Sequence, residues 1–297
     1  MDIDQDYTKN IQISKKTLLI DKLKKWARLT PSYFILGIWS LFTAFTILWV
    51  TASSFKSNRQ LFKETWKIPT ELHFENYVKA WTTVKMGTYF INSTIVVLSA
   101  LVIVLFISAP VAYILSRVKF KGNNLILTLF IAGIGIPVQL LYIPLFVIMT
   151  DLGINNTMFG LGLLYVVVSI PFTVFILTGF FGSIPKELEE AGVIDGCSDF
   201  QVYWKIMFPL ATPGLITAAI FNFIWLWNEY QIALVFINNP DLRTLPLGLY
   251  ALSNAMQYTG DWVGLMAGVV IIMVPTILLY VILSEKMIAG ITMGSVK

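Results

Sequence analysis

The chain reads IPKELEEAGVIDGCSDFQVYWKIMFP over residues 184–209, the longest polar interruption in the second half of a very apolar sequence. Pro185 suits a first helical position, and the glutamates that follow it lie where a helix dipole favours negative charge. Gly196 can adopt the left-handed conformation that ends a helix. Ser198 or Asp199 can cap the helix that follows. The sequence therefore predicts two short helices joined by a turn.

The rest of the chain is strongly apolar. Hydrophobic residues make up 57% of the 297 residues and charged residues 13%, whereas soluble domains carry roughly 25% charged residues. Six apolar runs are long enough for membrane-spanning helices, which need about 20 residues each. They lie at about 33–52, 89–115, 125–149, 158–181, 215–237 and 263–283. The predicted fold is all-α, a polytopic membrane protein with six transmembrane helices.

Prolines fall inside several of the predicted spans. A proline removes one helical hydrogen bond, and in a bundle neighbouring groups can satisfy the carbonyl that it leaves. We expect a kink at each of these prolines, which are Pro110, Pro137, Pro144, Pro171 and Pro275.

The basic residues predict the orientation of the chain. Six spans put both ends on one side, and 14 of the 21 Lys and Arg residues lie in the tails and loops of that side. Loops rich in Lys and Arg stay inside the cell. We therefore expect both termini and the loop 184–212 to be cytoplasmic. Six basic residues in the first outer loop reduce the contrast between the two sides.

The sequence excludes several kinds of site. Cys197 is the single cysteine, so no intrachain disulfide forms, and His73 is the single histidine, so no site is built from paired histidines. No Gly-Lys dipeptide occurs, which excludes a P-loop. No nucleophile–base pair and no metal-ligand spacing is present. We expect no catalytic residue, metal, cofactor or nucleic acid.

Glu229 is the one charged residue inside a predicted span, in a run that also contains Trp225, Trp227, Asn228 and Tyr230. A charge near the bilayer centre costs roughly 2.5–3.5 kcal/mol, so it normally faces a partner or a water-filled cavity. Two interpretations remain open. Either Glu229, with Asn228, lines or gates a polar pathway, or its carboxyl group ties two helices together. For the aromatic residues, helix packing is favoured over a sugar-stacking platform.

The polar stretch resembles a known motif. The EAA loop of type I ABC importer permeases reads Glu-Ala-Ala, three residues, Gly, nine residues, Ile, any residue, Leu-Pro. The same spacing is kept here by Glu190-Ala191-Gly192, Gly196 and Ile206-Met207-Phe208-Pro209. Gly192 replaces the second alanine, and Phe208 replaces the leucine. The chain is thus similar to type I ABC importer permeases, and the resemblance implies their fold.

Further stretches resemble the carbohydrate-importer branch, in particular the shorter six-span subunit of maltose-type systems. They are Asn92-Ser93-Thr94 and residues 227–230, 244–249 and 290–297. The resemblance implies a permease subunit, not an enzyme, that imports a sugar or oligosaccharide through a prokaryotic cell membrane. A glycerol phosphodiester or a polyol is the alternative solute. A membrane-embedded enzyme or a channel is the alternative from another class. An enzyme would need polar catalytic groups at membrane depth, where Glu229 is the one charged residue, and a channel would need no ATPase-docking loop.

The resemblance also implies partners. These are a second homologous permease, two cytoplasmic ATP-binding subunits, an extracytoplasmic solute-binding protein, the sugar and membrane lipid. The EAA loop would dock on an ATPase as the coupling helix. Its implied residues are Glu190, Ala191, Gly192, Asp195, Gly196, Ile206 and Pro209. The tail residues Gly294 and Lys297 are implied as further ATPase contacts, and Asn228 and Glu229 remain candidates for the translocation pathway.

The expected organisation has four parts. A cytoplasmic tail covers residues 1–30, and the first helix with its outer loop covers residues 31–87. A type I transporter core of five helices covers residues 88–284 and contains the loop 184–212. A second cytoplasmic tail covers residues 285–297.

Overall fold

The computed structural model describes residues 30–293, with side chains described for residues 30–283. The regular structure of this part of the chain is helical throughout. In chain order the helices are α1 Thr30–Ser54, α2 Asn58–Lys63, α3 Glu75–Thr82, α4 Met86–Arg117, α5 Asn123–Ile134, α6 Tyr142–Asp151, α7 Met158–Ser183, α8 Lys186–Ile194, α9 Asp199–Leu210, α10 Thr212–Trp227, α11 Gln231–Phe236, α12 Leu245–Thr259 and α13 Trp262–Met293. The predicted N-terminal tail, Gly294 and Lys297 lie outside the described residues.

Four helices are long and apolar enough to cross a membrane alone: α1, α4, α7 and the Trp262–Leu283 part of α13. Two bent helix pairs bring the number of spans to six if each pair crosses once. In the first pair α5 is followed by Val138–Asp151 at an angle of 95°, and in the second α9 is followed by α10 at an angle of 66°. The described residues thus form an all-α membrane protein with up to six spans.

The third predicted span, 125–149, is broken. Helix α5 ends at Ile134, and a 3₁₀ turn at Val138–Leu141 leads into α6 in a different direction. Pro137 lies at the break, with φ −59° and ψ 121°. Proline has no N–H to donate and disfavours helical geometry in the residue before it. The expected kink at Pro137 is therefore a complete break, and a single continuous helix is wrong here.

The fifth predicted span, 215–237, is also interrupted. Helix α10 ends at Trp227, and α11 begins only at Gln231. Glu229 consequently lies between two helices and not within one, which corrects the expected position of this residue. Apolar residues continue on both sides of the interruption, so the hydropathy of the chain does not reveal it.

Helices α4 and α7 pack along each other at the centre of the bundle, and α10 packs against both. The buried face of α4 is rich in small residues. Small side chains let helices approach closely, which matters in a membrane because lipid removes the hydrophobic drive for helix association. The buried small residues of α4 are Gly87, Ser93, Ala100, Ser108, Ala109 and Ala112.

Polar contacts join the helices at the end of the bundle remote from residues 184–212. Lys79 on α3 places its Nζ 2.6 Å from Oδ2 of Asp261, just before α13. The Oδ1 of Asn58 accepts the backbone N–H groups of Trp262 and Val263 at 3.0 and 3.2 Å. The loop between α1 and α4 therefore fixes the start of the last span.

Helix α1 stands apart from the bundle. None of the residues in its most apolar stretch is buried within the chain. Its contacts are near its C-terminal end, where Trp49 Nε1 donates to the carbonyl oxygen of Thr65 at 3.1 Å. The ring of Phe45 stacks on Trp66 with centroids 6.1 Å apart. Most of α1 therefore offers an apolar surface that no described residue of this chain covers.

Candidate functional site

The polar segment, defined here as residues 184–212, forms two short helices joined by a turn, as expected. Helix α8 begins at Lys186, so Pro185 precedes the first helical residue and does not occupy it. Gly196 has φ +81°, the left-handed conformation anticipated for it. Ser198 Oγ accepts the N–H of Gln201, and Gln201 Oε1 accepts the N–H of Ser198. This reciprocal cap fixes the start of α9.

Gly192 brings the two short helices into close contact. It is buried, and a Cβ built on it would lie 2.4 Å from Ile206 Cδ1 and 3.4 Å from Val202 Cγ2. The motif normally has alanine at this place, so the extra space that Gly192 leaves is filled by the Ile206 side chain. Helix α9 contains a π-helical turn at Val202–Met207, which carries both contact residues.

Arg117 anchors the polar segment to the membrane spans. Its side chain is 3% exposed at the C-terminal end of α4. Its Nη2 donates to the carbonyl oxygens of Phe181 and Ile184, at the end of α7. Its Nε lies 3.7 Å from Oε2 of Glu189 on α8. One guanidinium group therefore links two spans to the first short helix.

Tyr113 strengthens the same link. Its hydroxyl donates to Oε1 of Glu189 at 2.7 Å, so the two oxygens of that carboxylate face different residues of α4. The ring of Tyr113 also contacts the rings of Phe181 and Tyr203 at 5.6 and 5.0 Å. The sequence predicted neither Arg117 nor Tyr113 as a functional residue. The signal that the sequence offered was a basic residue, Arg117, at the end of a predicted span. The glutamates of the first short helix offered it a partner of opposite charge.

The outward face of the polar segment is accessible and partly apolar. Ile194 is 85% exposed, and Val193 and Phe200 are exposed beside it. Of the residues implied by the motif, four are exposed on this segment: Glu190, Ala191, Asp195 and Gly196. Pro209 is also exposed, whereas Gly192 is buried and Ile206 half-buried. The motif thus divides into residues that hold the two helices together and residues that face outward.

Glu229 is buried between α10 and α11, with 9% of its surface exposed. Its Oε1 accepts the N–H of Ile232 at 2.6 Å, and its Oε2 accepts the N–H of Ala233 at 3.3 Å. The hydroxyl of Tyr165 on α7 donates to Oε2 at 2.9 Å. The carboxyl group therefore caps α11 and ties it to α7, as the second interpretation of this residue anticipated. A role in a polar pathway stays a prediction.

The aromatic residues around Glu229 separate in the fold. Trp227 is buried, stacks on Phe223 with centroids 5.4 Å apart, and donates from Nε1 to the carbonyl oxygen of Ile272. Tyr230 lies beyond the end of α10 and stacks on Tyr250 at 5.7 Å. Trp225 remains exposed on α10. Packing is therefore the role of Trp227, and the three rings do not form one platform.

The two broken spans meet each other. Gln139, in the turn after α5, donates from Nε2 to Oε1 of Gln231, the first residue of α11, at 2.9 Å. The ring of Tyr142 on α6 lies 6.4 Å from that of Phe236 on α11, edge to face. The interruptions of the third and fifth spans thus lie side by side. Asn228 is exposed near this junction, and its Nδ2 donates to the carbonyl oxygen of Ile224.

The motif residues at the start of α4 hold the loop before α12. Ser93 Oγ accepts the N–H of Leu245 at 2.7 Å. Asn92 Nδ2 donates to the carbonyl oxygens of Asp241 and Arg243 at 2.8 and 3.0 Å. The Ser93–Leu245 contact joins two of the stretches that carry the resemblance. Within residues 30–283 no cluster of His, Cys, Asp and Glu side chains has the arrangement of a metal site.

Comparison with known proteins extends these observations. The family described as "Binding-protein-dependent transport system inner membrane component" matches residues 106–288. The diacetylchitobiose uptake system permease protein NgcG of Streptomyces coelicolor is 38% identical over 264 residues, 89% of this chain and 87% of that protein. The multiple sugar-binding transport system permease protein MsmG of Streptococcus mutans is 34% identical over 270 residues, 89% of this chain and 95% of that protein.

A solved structure shows the same fold. It is that of a bacterial ABC transporter involved in the import of the acidic polysaccharide alginate, and it aligns with a TM-score of 0.72. The alignment covers 86% of this chain and 94% of that chain at 24% identity. The expected fold of an ABC importer permease is thereby confirmed, and the chain is a transport subunit and not an enzyme. It belongs to the family of inner membrane components of binding-protein-dependent transport systems.

Proposed function

We propose that this chain is a permease subunit of an ATP-driven importer whose solute is a sugar, in particular a short oligosaccharide. Relatives that match along most of the chain are permeases of diacetylchitobiose uptake and of multiple sugar-binding transport. The observation that carries the proposal is the anchored polar segment, because it provides both an exposed docking face and a rigid link to two spans.

The docking face has the properties of a surface that binds another protein. Apolar residues cluster at its tip, where Ile194 and Phe200 are exposed, and Glu190 adds a negative charge beside them. Protein interfaces combine an apolar centre with a polar rim, and charge complementarity selects the partner. In the proposed complex this face sits in a groove of an ATP-binding subunit. A second copy of that ATPase serves a homologous second permease.

The link inward runs through Arg117. A displacement of α8 acts on the Glu189 carboxylate, and from there on the guanidinium that holds the ends of α4 and α7. These two helices form the centre of the bundle. Packed helices move as units because protein interiors deform little. Movement of the ATPase is thereby transmitted to the spans that enclose the pathway.

The opposite end of the bundle receives the solute in this proposal. The distribution of Lys and Arg supports a cytoplasmic location for both termini and the polar segment. The loops after α1, α6 and α11 then face outward, where an extracytoplasmic binding protein delivers the sugar. The junction of the two broken spans, with Asn228 and Glu229, lies between this outer end and the middle of the membrane.

Reconstitution tests the proposal. The chain is purified with its proposed partners, a second permease, an ATPase and a binding protein from the same organism, and the complex is placed in liposomes. Uptake of diacetylchitobiose and maltose is compared with uptake of glycerophosphocholine and sorbitol. We expect uptake of a sugar that requires both ATP and the binding protein. Uptake of a non-sugar probe alone, or uptake that does not depend on ATP, contradicts the proposal.

A further inference from the structure

The chain folds back along its first span soon after leaving it. The indole Nε1 of Trp49 donates to the carbonyl oxygen of Thr65 at 3.1 Å. The ring of Trp66 lies 5.8 Å from that of Trp49 and 6.1 Å from that of Phe45. The apolar run of α1 ends near Ala52, and Trp49 and Phe45 precede this end by about 4.5 and 10.5 Å, at 1.5 Å per residue. The ring of Trp66 therefore lies beside the apolar part of the span and not beyond it.

The anchor segment, defined as residues 62–68, also reaches the last span. At its start the ring of Phe62 meets that of Trp262 edge to face, with centroids 6.1 Å apart. Trp262 is the first residue of α13. Tryptophan is enriched where a span enters the headgroup region of a membrane. The anchor segment thus runs from the boundary of one span to a position beside the apolar part of another.

Burial is inverted around the anchor segment. The apolar side chains of Phe62, Trp66 and Ile68 are 64%, 75% and 83% exposed. The cation of Lys56 points inward and is 2% exposed, and its Nζ donates to two backbone carbonyl oxygens of the segment at 3.1 and 2.9 Å. Water favours the reverse arrangement, with lysine outside and large apolar side chains inside.

The backbone of the anchor segment suits an apolar surrounding. Lipid offers no hydrogen bonds, so a segment that enters it must satisfy its polar groups within the protein. The carbonyl oxygens of Glu64 and Thr65 both accept from Lys56 Nζ. The hydroxyl of Thr65 donates to the carbonyl oxygen of Leu61 at 2.9 Å, and the N–H of Lys67 donates to that of Glu64 at 3.1 Å. These groups are therefore bonded while the apolar side chains face outward.

We propose that the anchor segment is inserted into the lipid of the membrane, at the end of the bundle remote from the polar segment. Trp66 and Ile68 enter the layer just below the headgroups, where interfacial segments bury their apolar side chains by roughly 5–10 Å. Lys63 is exposed beside them, and its long stem lets the ammonium group reach a lipid phosphate. This contact goes beyond the proposed function, because it needs neither sugar nor ATP.

The insertion restrains more than the first span. The loop that carries the anchor segment also holds the start of α13, through the bonds of Asn58 with Trp262 and of Lys79 with Asp261. Lipid that holds the anchor segment at a fixed depth therefore sets the depth of α13 as well as that of α1.

Spin-label accessibility tests the insertion. Cys197→Ser removes the single native thiol, and a nitroxide is attached at Ile68→Cys in the full complex, in liposomes of phosphatidylethanolamine and phosphatidylglycerol. Glu75→Cys is the matched control, because the Glu75 side chain is 71% exposed between α1 and α4. The N–H of His73 beside it bonds to the carbonyl oxygen of Phe55, beyond the end of α1. Power saturation measures collisions with molecular oxygen, which concentrates in lipid, and with a water-soluble nickel complex.

We expect the label at Ile68→Cys to collide several times more often with oxygen than with the nickel complex, and the label at Glu75→Cys to show the opposite order. Adding Trp66→Glu to Ile68→Cys should expose the label to the nickel complex, because a carboxylate is costly in lipid. Trp66→Tyr should keep the preference for oxygen, because tyrosine also suits the headgroup region.

Three results contradict the proposal. If the nickel complex reaches Ile68→Cys as often as Glu75→Cys, the anchor segment lies in water. If neither reagent reaches the label, a protein surface such as that of a second permease covers the segment. If Trp66→Glu leaves the preference for oxygen intact, Trp66 does not hold the segment in lipid. Absence of sugar uptake by the parent complex rejects the proposed function and leaves the oxygen accessibility of Ile68→Cys unchanged.

Discussion

At the scale of single residues, Glu229 shows how one side chain ends a helix inside an apolar run. In a continuous helix the N–H groups of Ile232 and Ala233 would bond to the carbonyl oxygens four residues earlier. Here they bond to the Glu229 carboxylate instead. The hydroxyl of Tyr165 holds that carboxylate from α7. The side chain has therefore replaced the backbone as the acceptor, and the span breaks.

Two replacements of Glu229 should separate the effect of its side-chain shape from the effect of its hydrogen bonds. Glu229→Leu leaves the N–H of Ile232 and the hydroxyl of Tyr165 buried without an acceptor, at about 1–3 kcal/mol each. Glu229→Gln keeps one acceptor oxygen and nearly the same shape. We expect both complexes to assemble, with the leucine variant unfolding at a clearly lower temperature and transporting much less than the glutamine variant. A leucine variant with the parent's unfolding temperature and full transport would exclude both roles of this carboxyl group.

At the scale of secondary structure elements, the sequence predicted where the helices lie better than where they break. The apolar runs located the four continuous spans and the two bent helix pairs. The Pro185, Gly196 and Ser198 pattern located the two short helices. The breaks at Pro137 and Glu229 were not foreseen. Hydropathy averages over a span and is insensitive to three or four residues that leave the helix. Proline at least signals a kink, whereas a glutamate that caps the next helix resembles any other buried charge.

The link through Arg117 could not be predicted for a different reason. Its partners Phe181, Ile184 and Glu189 follow it by more than 60 residues in the sequence, and only the packing of α4 on α7 brings them together. Motif spacing identified the polar segment but carried no information on what anchors it.

Removal of the Arg117 guanidinium should uncouple the elements that it joins. Arg117→Leu leaves two carbonyl oxygens without this donor and the Glu189 carboxylate without its ion-pair partner. Lys119→Leu is the control, because it removes an exposed cation nearby. We expect the first variant to transport less sugar per ATP hydrolysed and the control to match the parent. Arg117→Lys should recover part of the loss, since an ammonium group lacks the forked geometry. If Arg117→Leu and the control transport the same amount of sugar per ATP hydrolysed, the proposed link is contradicted.

At the scale of the whole molecule, the two ends of the bundle are built differently. One end carries the polar segment, anchored through Arg117. The other is closed by contacts between residues that are distant in the sequence, such as Lys79 with Asp261 and Ser93 with Leu245. Helix α1 stands outside this arrangement with its apolar surface uncovered by the described chain. Such an asymmetric molecule fits a subunit that engages different partners on the two sides of a membrane.

The proposed orientation of these two ends rests on the distribution of Lys and Arg, and an impermeant thiol reagent tests it. The single native cysteine is first removed by Cys197→Ser. In that background Asp151→Cys lies at the C-terminal end of α6, and Lys186→Cys lies in the polar segment. Because Lys and Arg concentrate on the polar-segment side, we expect labelling of Asp151→Cys in intact cells. Lys186→Cys should react only after the membrane is opened. The reverse pattern would invert the topology.

The central claim is that the polar segment couples this permease to an ATPase, and charge reversal on its exposed face tests that claim most directly. Glu190→Lys changes an outward-facing charge on α8, and Glu71→Lys makes the same change at an exposed position on the other end of the bundle. Both lie outside the spans, so membrane insertion should survive in each. The measurement is sugar transport together with ATP hydrolysis stimulated by the binding protein, in reconstituted complexes.

A like charge facing a partner's cationic surface repels where the glutamate attracted. We therefore expect the Glu190→Lys permease at near-normal amounts in the membrane, with transport and stimulated ATP hydrolysis both lost. The Glu71→Lys complex should retain its stimulated ATP hydrolysis. If the Glu190→Lys complex hydrolyses ATP and moves sugar at the parent rate, the polar segment does not couple this chain to an ATPase.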